Sequence, residues 1–170
     1  MDEVTESDNK EKLLEIMERL LVILRNVLSS IRQERRAHEE NNLIALRGIE
    51  DERLNLFAAY ERWSNASIFM LKTIAGEGYQ EQLETLENCL VNLPKFIEAD
   101  DVELHLLRDQ MNGMMTEIHE QSQSLLDFLD HRAVPSSNFH DYFREIRPAK
   151  PKMAIGLLEQ NERDDSEVIF

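Results

Sequence analysis

The stretch of sequence that decides the fold is LLEIMERLLVILRNVLSSI, residues 13 to 31. Its apolar residues recur at alternating steps of four and three, the heptad spacing of a helix that buries one stripe against other helices. These residues form the N-terminal seam: Leu13, Met17, Leu20, Leu24, Val27 and Ile31. The seam predicts a long amphipathic helix that needs partner helices to cover it.

A polar stretch, IRQERRAHEENN at residues 31 to 42, interrupts this pattern before apolar spacing resumes at Leu43 and continues to Ile74. No proline occurs before Pro94. One continuous N-terminal helix of about 65 residues is therefore expected, roughly 95 Å long at 1.5 Å per residue. Gly48 is its expected bend, because glycine costs a helix about 1 kcal/mol relative to alanine.

Two further helices follow in the pattern, from Tyr79 to Asn92 and from about residue 95 or 99 to Asp130. Short connections make neighbouring helices antiparallel, so both are expected to fold back along the long first helix. The predicted fold class is all-α, a coiled-coil-like bundle of three helices over residues 1–132. Residues 133–170 are expected to hold a short helix and a flexible, disordered acidic tail.

The charge balance limits the kinds of partner. The chain has 34 acidic residues against 19 lysines and arginines, a formal net charge of -15, which disfavours nucleic acid and anionic membranes. Its longest apolar run, Leu20 to Leu24, is far below the roughly 20 residues needed to span a bilayer. The acidic start MDEVTESDNKEK does not resemble a signal peptide. We therefore expect a soluble cytoplasmic protein without membrane insertion.

The sequence offers little for catalysis or metal binding. Glu34 with His38 and Asp127 with His131 are spaced four apart, but the Glu-x-x-His spacing of di-iron bundles does not occur. The lone Cys89 lies among apolar neighbours, where a thiol usually behaves as a small hydrophobe. No catalytic, cofactor-binding or metal-binding residue is predicted, and the protein is not expected to be an enzyme.

A short aromatic helix is predicted from Phe139 to Arg147, capped at Asn138 with Asp141 three residues on. One of its sides collects the candidate partner-binding residues Phe139, Tyr142, Phe143 and Ile146. This side either docks on its own bundle or is presented to the groove of a partner.

The second candidate binding surface is the later part of the N-terminal seam, residues Leu20, Leu24, Val27 and Ile31. Counting along antiparallel helices places few residues of the third helix opposite it. Either the short aromatic helix covers this part of the seam or another chain does, so a homodimer remains an alternative.

The segment from Glu34 to Glu61, written E...H....L..LRGIEDERLNLFAAYE, resembles the signature of the FlgN-type flagellar export chaperones. In that family a glutamate on a long helix is followed about fifteen residues later by an apolar-x-x-acidic-Lys-x-x-Leu-Leu stretch. The matching positions in this chain are Glu34, Ile49, Glu52, Arg53, Leu54 and Phe57, with Arg53 where lysine is usual.

The resemblance implies a cytoplasmic chaperone without a cofactor. It would bind the amphipathic helical ends of hook-filament junction subunits, or similar secreted subunits, and deliver them to the export gate. Tyr142 would be the residue that docks on a gate component. The alternative interpretation is a generic helical adaptor or self-associating coiled-coil module without enzymatic activity.

Overall fold

A computed structural model of the chain describes residues 2–146, and the predicted tail lies outside these residues. The described part is helical and has no strand. Five α-helices are numbered in chain order: α1 Glu3–Glu39, α2 Leu43–Ala75, α3 Leu86–Asn92, α4 Val102–His131 and α5 Asn138–Glu145. Two 3-10 segments, Glu77–Leu83 and Leu93–Lys95, flank α3. The structure confirms the all-α fold with a long N-terminal helix and a short C-terminal one.

The first helix is shorter than the sequence predicts, because the polar stretch ends in a tight turn. Asn41 has a φ of 53°, a left-handed conformation that asparagine tolerates better than most residues. The side chain of Asn42 then caps α2 by accepting a hydrogen bond of 3.0 Å from the backbone N–H of Ala45. The expected helix of about 65 residues is therefore a hairpin of α1 and α2, and Gly48 lies inside α2 rather than at the bend.

Helix α4 also packs on α1, but in the opposite direction to the one expected. Lys10 forms an ion pair with Asp101 near the start of both helices, while Arg132 donates a hydrogen bond to the carbonyl of His38 near their ends. Of the two helices that pack on α1, α2 is thus antiparallel and α4 is parallel. The hairpin explains the difference, because it returns the chain to the start of α1 before α4 begins.

The segment between α2 and α4 is less regular than the helix predicted from Tyr79 to Asn92. Gly76, with a φ of 87°, ends α2 in a conformation that other residues rarely adopt. The chain then forms a 3-10 segment, and the hydroxyl of Thr85 caps α3 at the N–H of Asn88. Three apolar side chains of α3, Leu86, Cys89 and Leu90, join the core.

The N-terminal seam is the centre of the core. All six of its residues are at most 2 % exposed: Leu13, Met17, Leu20, Leu24, Val27 and Ile31. They pack with buried residues of α4 that include Met111, Ile118 and Leu125. Two of the three methionines near the middle of α4, Met111 and Met115, are fully buried, whereas Met114 is half-buried at the edge. The predicted seam is therefore correct, and this chain covers it by itself.

Helix α5 docks on the bundle. Phe143 and Ile146 are buried at 1 % and 4 % exposure, and Phe139 and Tyr142 pack partly buried against the core. His119 of α4 forms a hydrogen bond of 2.8 Å with the backbone carbonyl of Arg144. Among residues 2–146, no helix is both long and apolar enough to cross a lipid bilayer.

Candidate functional site

The most unusual feature of the described core is a charged cluster formed by Glu34, Arg53 and His140. Glu34 lies on α1, Arg53 on α2 and His140 on α5, so three helices meet at these side chains. The side chain of Arg53 is 1 % exposed, and those of Glu34 and His140 are 7 % exposed. Because charged side chains are rarely buried without partners, the cluster must satisfy its own charges.

The geometry shows how it does so. Arg53 Nη2 donates to Glu34 Oε2 at 2.5 Å, and His140 Nε2 lies 2.8 Å from Glu34 Oε1. Arg53 Nε also donates to the hydroxyl of Ser30 at 3.4 Å. The ring of Phe143 lies 5.6 Å from the guanidinium carbon, in range of a cation–π contact. A charged pair, its hydrogen bonds and an aromatic face thus surround Arg53.

The neighbours of His140 define its tautomer. The backbone N–H of Ser137 donates to His140 Nδ1 at 2.8 Å, so Nδ1 must be an unprotonated acceptor. Nε2 then carries the ring proton, and this N–H donates a hydrogen bond to the carboxylate of Glu34. The ion pair of the cluster is between Glu34 and Arg53, whose Nη1 also lies 3.4 Å from His140 Nε2.

The hydrogen bond from Ser137 also closes a capping box at the start of α5. The box uses Ser137 and His140 rather than the predicted Asn138 and Asp141. One imidazole ring thus completes the first turn of α5 with one nitrogen and binds α1 with the other.

Glu34 has an unusually acidic carboxyl group. Burial by itself raises its pKa, but hydrogen bonds from His140 and Arg53, together with the positive charge of Arg53, outweigh burial and hold the pKa at about 2. The carboxylate is therefore ionised over the whole physiological range.

An aromatic contact extends the cluster along α2. The ring centroid of Tyr142 lies 4.2 Å from that of Phe57 and 5.9 Å from that of Tyr60. The hydroxyl of Tyr142 donates to Glu61 Oε1 at 2.6 Å. Burial and this hydrogen bond both raise the pKa of Tyr142 above its ordinary value. Tyr142 thus attaches the middle of α5 to α2 by a polar contact as well as by apolar ones.

The structure brings together some of the sequence-predicted residues and separates others. Glu34, Ile49 and Arg53 are buried, Phe57 is half-buried under Tyr142, and Glu52 and Leu54 face solvent. The partner candidates Leu20, Leu24, Val27 and Ile31 are covered within the chain, so a partner has no access to them in this conformation. Phe139, Tyr142, Phe143 and Ile146 contact their own bundle.

His140 and Ser30 were missed by sequence reasoning. The only local signal was Ser137 three residues before His140, in the spacing of a capping box, and nothing in it pointed to α1. The sequence also paired His38 with Glu34. His38 Nε2 lies 3.7 Å from Glu34 Oε1, so this contact is weaker than the one made by His140.

The described residues show no ready site for metal or thiol chemistry. Within residues 2–146, no three side chains of His, Cys, Asp or Glu are placed to hold a metal ion. In the charged cluster it is the guanidinium of Arg53 that neutralises Glu34. Burial raises the pKa of Cys89 to about 12, so its thiolate is scarce near neutral pH.

Comparison with known proteins adds no relative: no family model, no curated protein and no solved structure matches this chain.

Proposed function

We propose that the protein is a cytoplasmic export chaperone. It binds the amphipathic helical ends of a secreted subunit, such as a flagellar hook-filament junction protein, and delivers that subunit to the export gate. The proposal begins from the resemblance of residues 34–61 to the FlgN-type signature.

The observation that supports the proposal most directly is the buried contact between Glu34 and Arg53. These are two of the charged positions in the resemblance, and they lie 19 residues apart in the sequence. The α1–α2 hairpin brings them within 2.5 Å of each other. The pair thus gives both positions a common structural role, although the signature places the glutamate and the later stretch on one long helix, which the turn at Asn41 divides here.

The outer face of α2 offers a surface for a partner helix. Four large apolar side chains of α2 are between 65 and 86 % exposed: Leu43, Ile44, Leu54 and Phe69. Exposed apolar side chains on a helix are suited to the apolar face of an amphipathic segment. The net charge of -15 favours solubility of the resulting complex.

Tyr142 remains the proposed gate-docking residue, and Phe139, Phe143 and Ile146 belong to the same proposed surface. In the described conformation Tyr142 is bound to Phe57 and Glu61. Gate docking through Tyr142 therefore requires α5 to leave this position, at least in part.

The second candidate function is a helical adaptor or self-associating interaction module that has no role in secretion. The same exposed residues of α2 favour it, since a second copy of the chain would cover them equally well. The N-terminal seam is not available for such self-association, because α2, α4 and the α3 region already bury it.

The deciding experiment is co-purification with a hook-filament junction protein from the same source. Three forms should be compared: the full chain, a chain lacking residues 133–170, and a variant with Leu54→Glu and Phe69→Glu. The matched control carries Gln110→Glu and Gln123→Glu, two exposed polar positions on α4. We expect the full chain and the control to retain the junction protein and the Leu54/Phe69 variant to lose it.

The opposite outcome is equally informative. If no form retains a secreted subunit, while sedimentation shows self-association that only the Leu54/Phe69 variant abolishes, the chaperone proposal is wrong and the adaptor function is supported.

A further inference from the structure

A groove between α1 and α4 lies on the side of α1 away from the charged cluster. Two adjoining depressions of about 310 and 450 Å³ form it, and both are lined by Arg32 and Arg36. Its apolar floor consists of the buried residues Leu28, Ile31 and Leu125 with the half-buried Met114.

Arginines form the wall of this groove. Arg25, Arg32, Arg35 and Arg36 line it together with three glutamates, Glu39, Glu40 and Glu117, while Glu34 points to the other side of α1. Four arginines against three glutamates leave a small positive balance here, in a chain whose net charge is -15. Such a surface attracts an acidic segment, and the apolar floor favours one that also carries apolar side chains.

The present ion pairs of Arg32 and Arg36 are replaceable. Arg36 lies 2.9 Å from Glu40, one helical turn away, and Arg35 lies 3.5 Å from Glu39. Arg35 also donates a hydrogen bond of 2.8 Å to the hydroxyl of Ser124 and lies 5.1 Å from the ring centroid of Phe128, so α4 holds it in place. Arg32 pairs with Glu117 at the exposed edge of α4. Water screens exposed pairs of this kind, and they contribute little to stability. Within residues 2–146 the structure gives Arg25 no ion pair at all. A segment with several acidic residues can therefore displace these contacts at low cost.

The chain itself contains such a segment. Residues 159–167, EQNERDDSE, carry five acidic residues against one arginine, and Val168, Ile169 and Phe170 follow directly. This segment lies outside the described residues. It combines the charge that the groove wall requires with the apolar side chains that the floor requires.

The segment is also within reach. The described chain ends at Ile146, next to the contact between His119 and the carbonyl of Arg144 on α4. Glu117, on the groove side of the same helix, lies only two residues from His119. The thirteen peptide steps from residue 146 to residue 159 extend to about 40 Å, whereas α4 is only about 10–12 Å in diameter.

We propose that residues 159–170 bind in the groove between α1 and α4, with their acidic side chains on the arginine wall and the apolar end on the floor. This contact joins the C-terminal segment to the face of the bundle opposite α5. It does not depend on the proposed export function.

The test uses the full chain with a nitroxide spin label in the groove. Ser29→Cys places the label at an exposed position on the groove rim, in a Cys89→Ala background that removes the natural thiol. We expect the amide signals of residues 164–170 to lose about half of their intensity or more, since a tethered segment has a high effective concentration. A label at Asn65→Cys, on the exposed side of α2, serves as the control and should leave these signals unchanged. Equal intensities with both labels would overturn the proposal.

Charge variants then test the recognition. Arg32→Glu with Arg36→Glu should restore the lost signal intensity, whereas Arg47→Glu, at an exposed position on α2, should not. Adding Asp164→Lys and Asp165→Lys to the first variant should bring the signal loss back. Arg25→Glu alone provides a milder version if the double variant is unstable. If none of these charge variants changes the loss of signal, the proposed binding of residues 159–170 in the groove is contradicted.

A mixed sample distinguishes contact within one chain from contact between copies. Isotope-labelled chain without nitroxide is mixed with unlabelled chain that carries the nitroxide at residue 29. Unchanged signals in this mixture support binding within one chain. Signal loss in the mixture means that the groove binds the segment of a second copy, which would overturn the proposal as stated.

Discussion

Arg32 and Glu34 lie two residues apart on α1, and each forms an ion pair in opposite surroundings. Glu34 faces inward and is buried with Arg53 and His140, whereas Arg32 is 56 % exposed and pairs with Glu117 at the edge of the groove. An exposed pair contributes about 0–1 kcal/mol, but removing one member of a buried pair costs about 3–5 kcal/mol. In the same polar stretch, side chains that point inward therefore stabilise the fold, whereas side chains that point outward form weak contacts that can be exchanged.

The strongest test of this contrast is Glu34→Leu. The substitution leaves the guanidinium of Arg53 buried without its carboxylate, so we expect the free energy of unfolding to fall by about 3–5 kcal/mol. Urea titration followed by circular dichroism measures the change. The variant that combines Glu34→Leu with Arg53→Met should recover most of the loss, since it removes both charges. If the double variant is as unstable as the single one, the loss comes from packing and not from the unpaired charge.

Lowering the pH should have the next largest effect on the free energy of unfolding. The pKa of Glu34 in the folded protein is about 2, below its ordinary value of 4.5, so the carboxylate contributes stability that is fully present above about pH 4.5. This contribution is lost as the pH falls towards about 2, and the gap between the two values corresponds to about 3 kcal/mol. Unfolding free energies measured at about pH 6 and about pH 3 should differ more for the wild type than for Glu34→Gln. Identical pH dependence of the two proteins would show that Glu34 is not the group responsible.

A smaller and more local effect is expected from His140→Ala. This substitution removes the side-chain acceptor at the start of α5 and the hydrogen bond to Glu34, together worth about 1–3 kcal/mol. Amide hydrogen exchange should accelerate in α5 and much less in α1. Asp141→Ala, at an exposed position of the same helix, is the matched control. Equal acceleration in both variants would mean that the histidine has no special part in holding α5.

The smallest effect belongs to the exposed pair. Arg32→Ala should change the free energy of unfolding by less than about 1 kcal/mol, because water replaces the contact with Glu117. The same urea titration measures it beside Glu34→Leu. A loss from Arg32→Ala as large as that from Glu34→Leu would remove the distinction between the two sides of α1.

The sequence predicts which residues form the core better than it predicts where the helices end and in which direction they run. The heptad spacing from Leu13 to Ile31 identifies the buried stripe residue by residue, since burial of one helix face is a local, periodic property. The turn after Glu40 is not predicted, because no proline or glycine marks it. The signal was the pair Asn41 and Asn42, one residue suited to a left-handed turn and one to a helix cap.

The candidate site shows the same division. The resemblance singled out Glu34 and Arg53, which lie 19 residues apart in the sequence and meet across the α1–α2 hairpin. His140 is 106 residues from Glu34, and no local pattern links a residue of α5 to a carboxylate on α1. The parallel direction of α4 was missed for a related reason: it follows from the position of the hairpin, which the apolar pattern did not contain.

The double role of His140 makes folding and docking of α5 one event. An isolated helix of eight residues is marginal in water, and α5 closes its first turn with the same imidazole ring that binds Glu34. When the ring leaves the cluster, water replaces Glu34, and α5 keeps only its own capping box, which is too little to hold eight residues in a helix. The structure thus favours two states for this end of the bundle, docked and helical or released and unwound, with few intermediates between them.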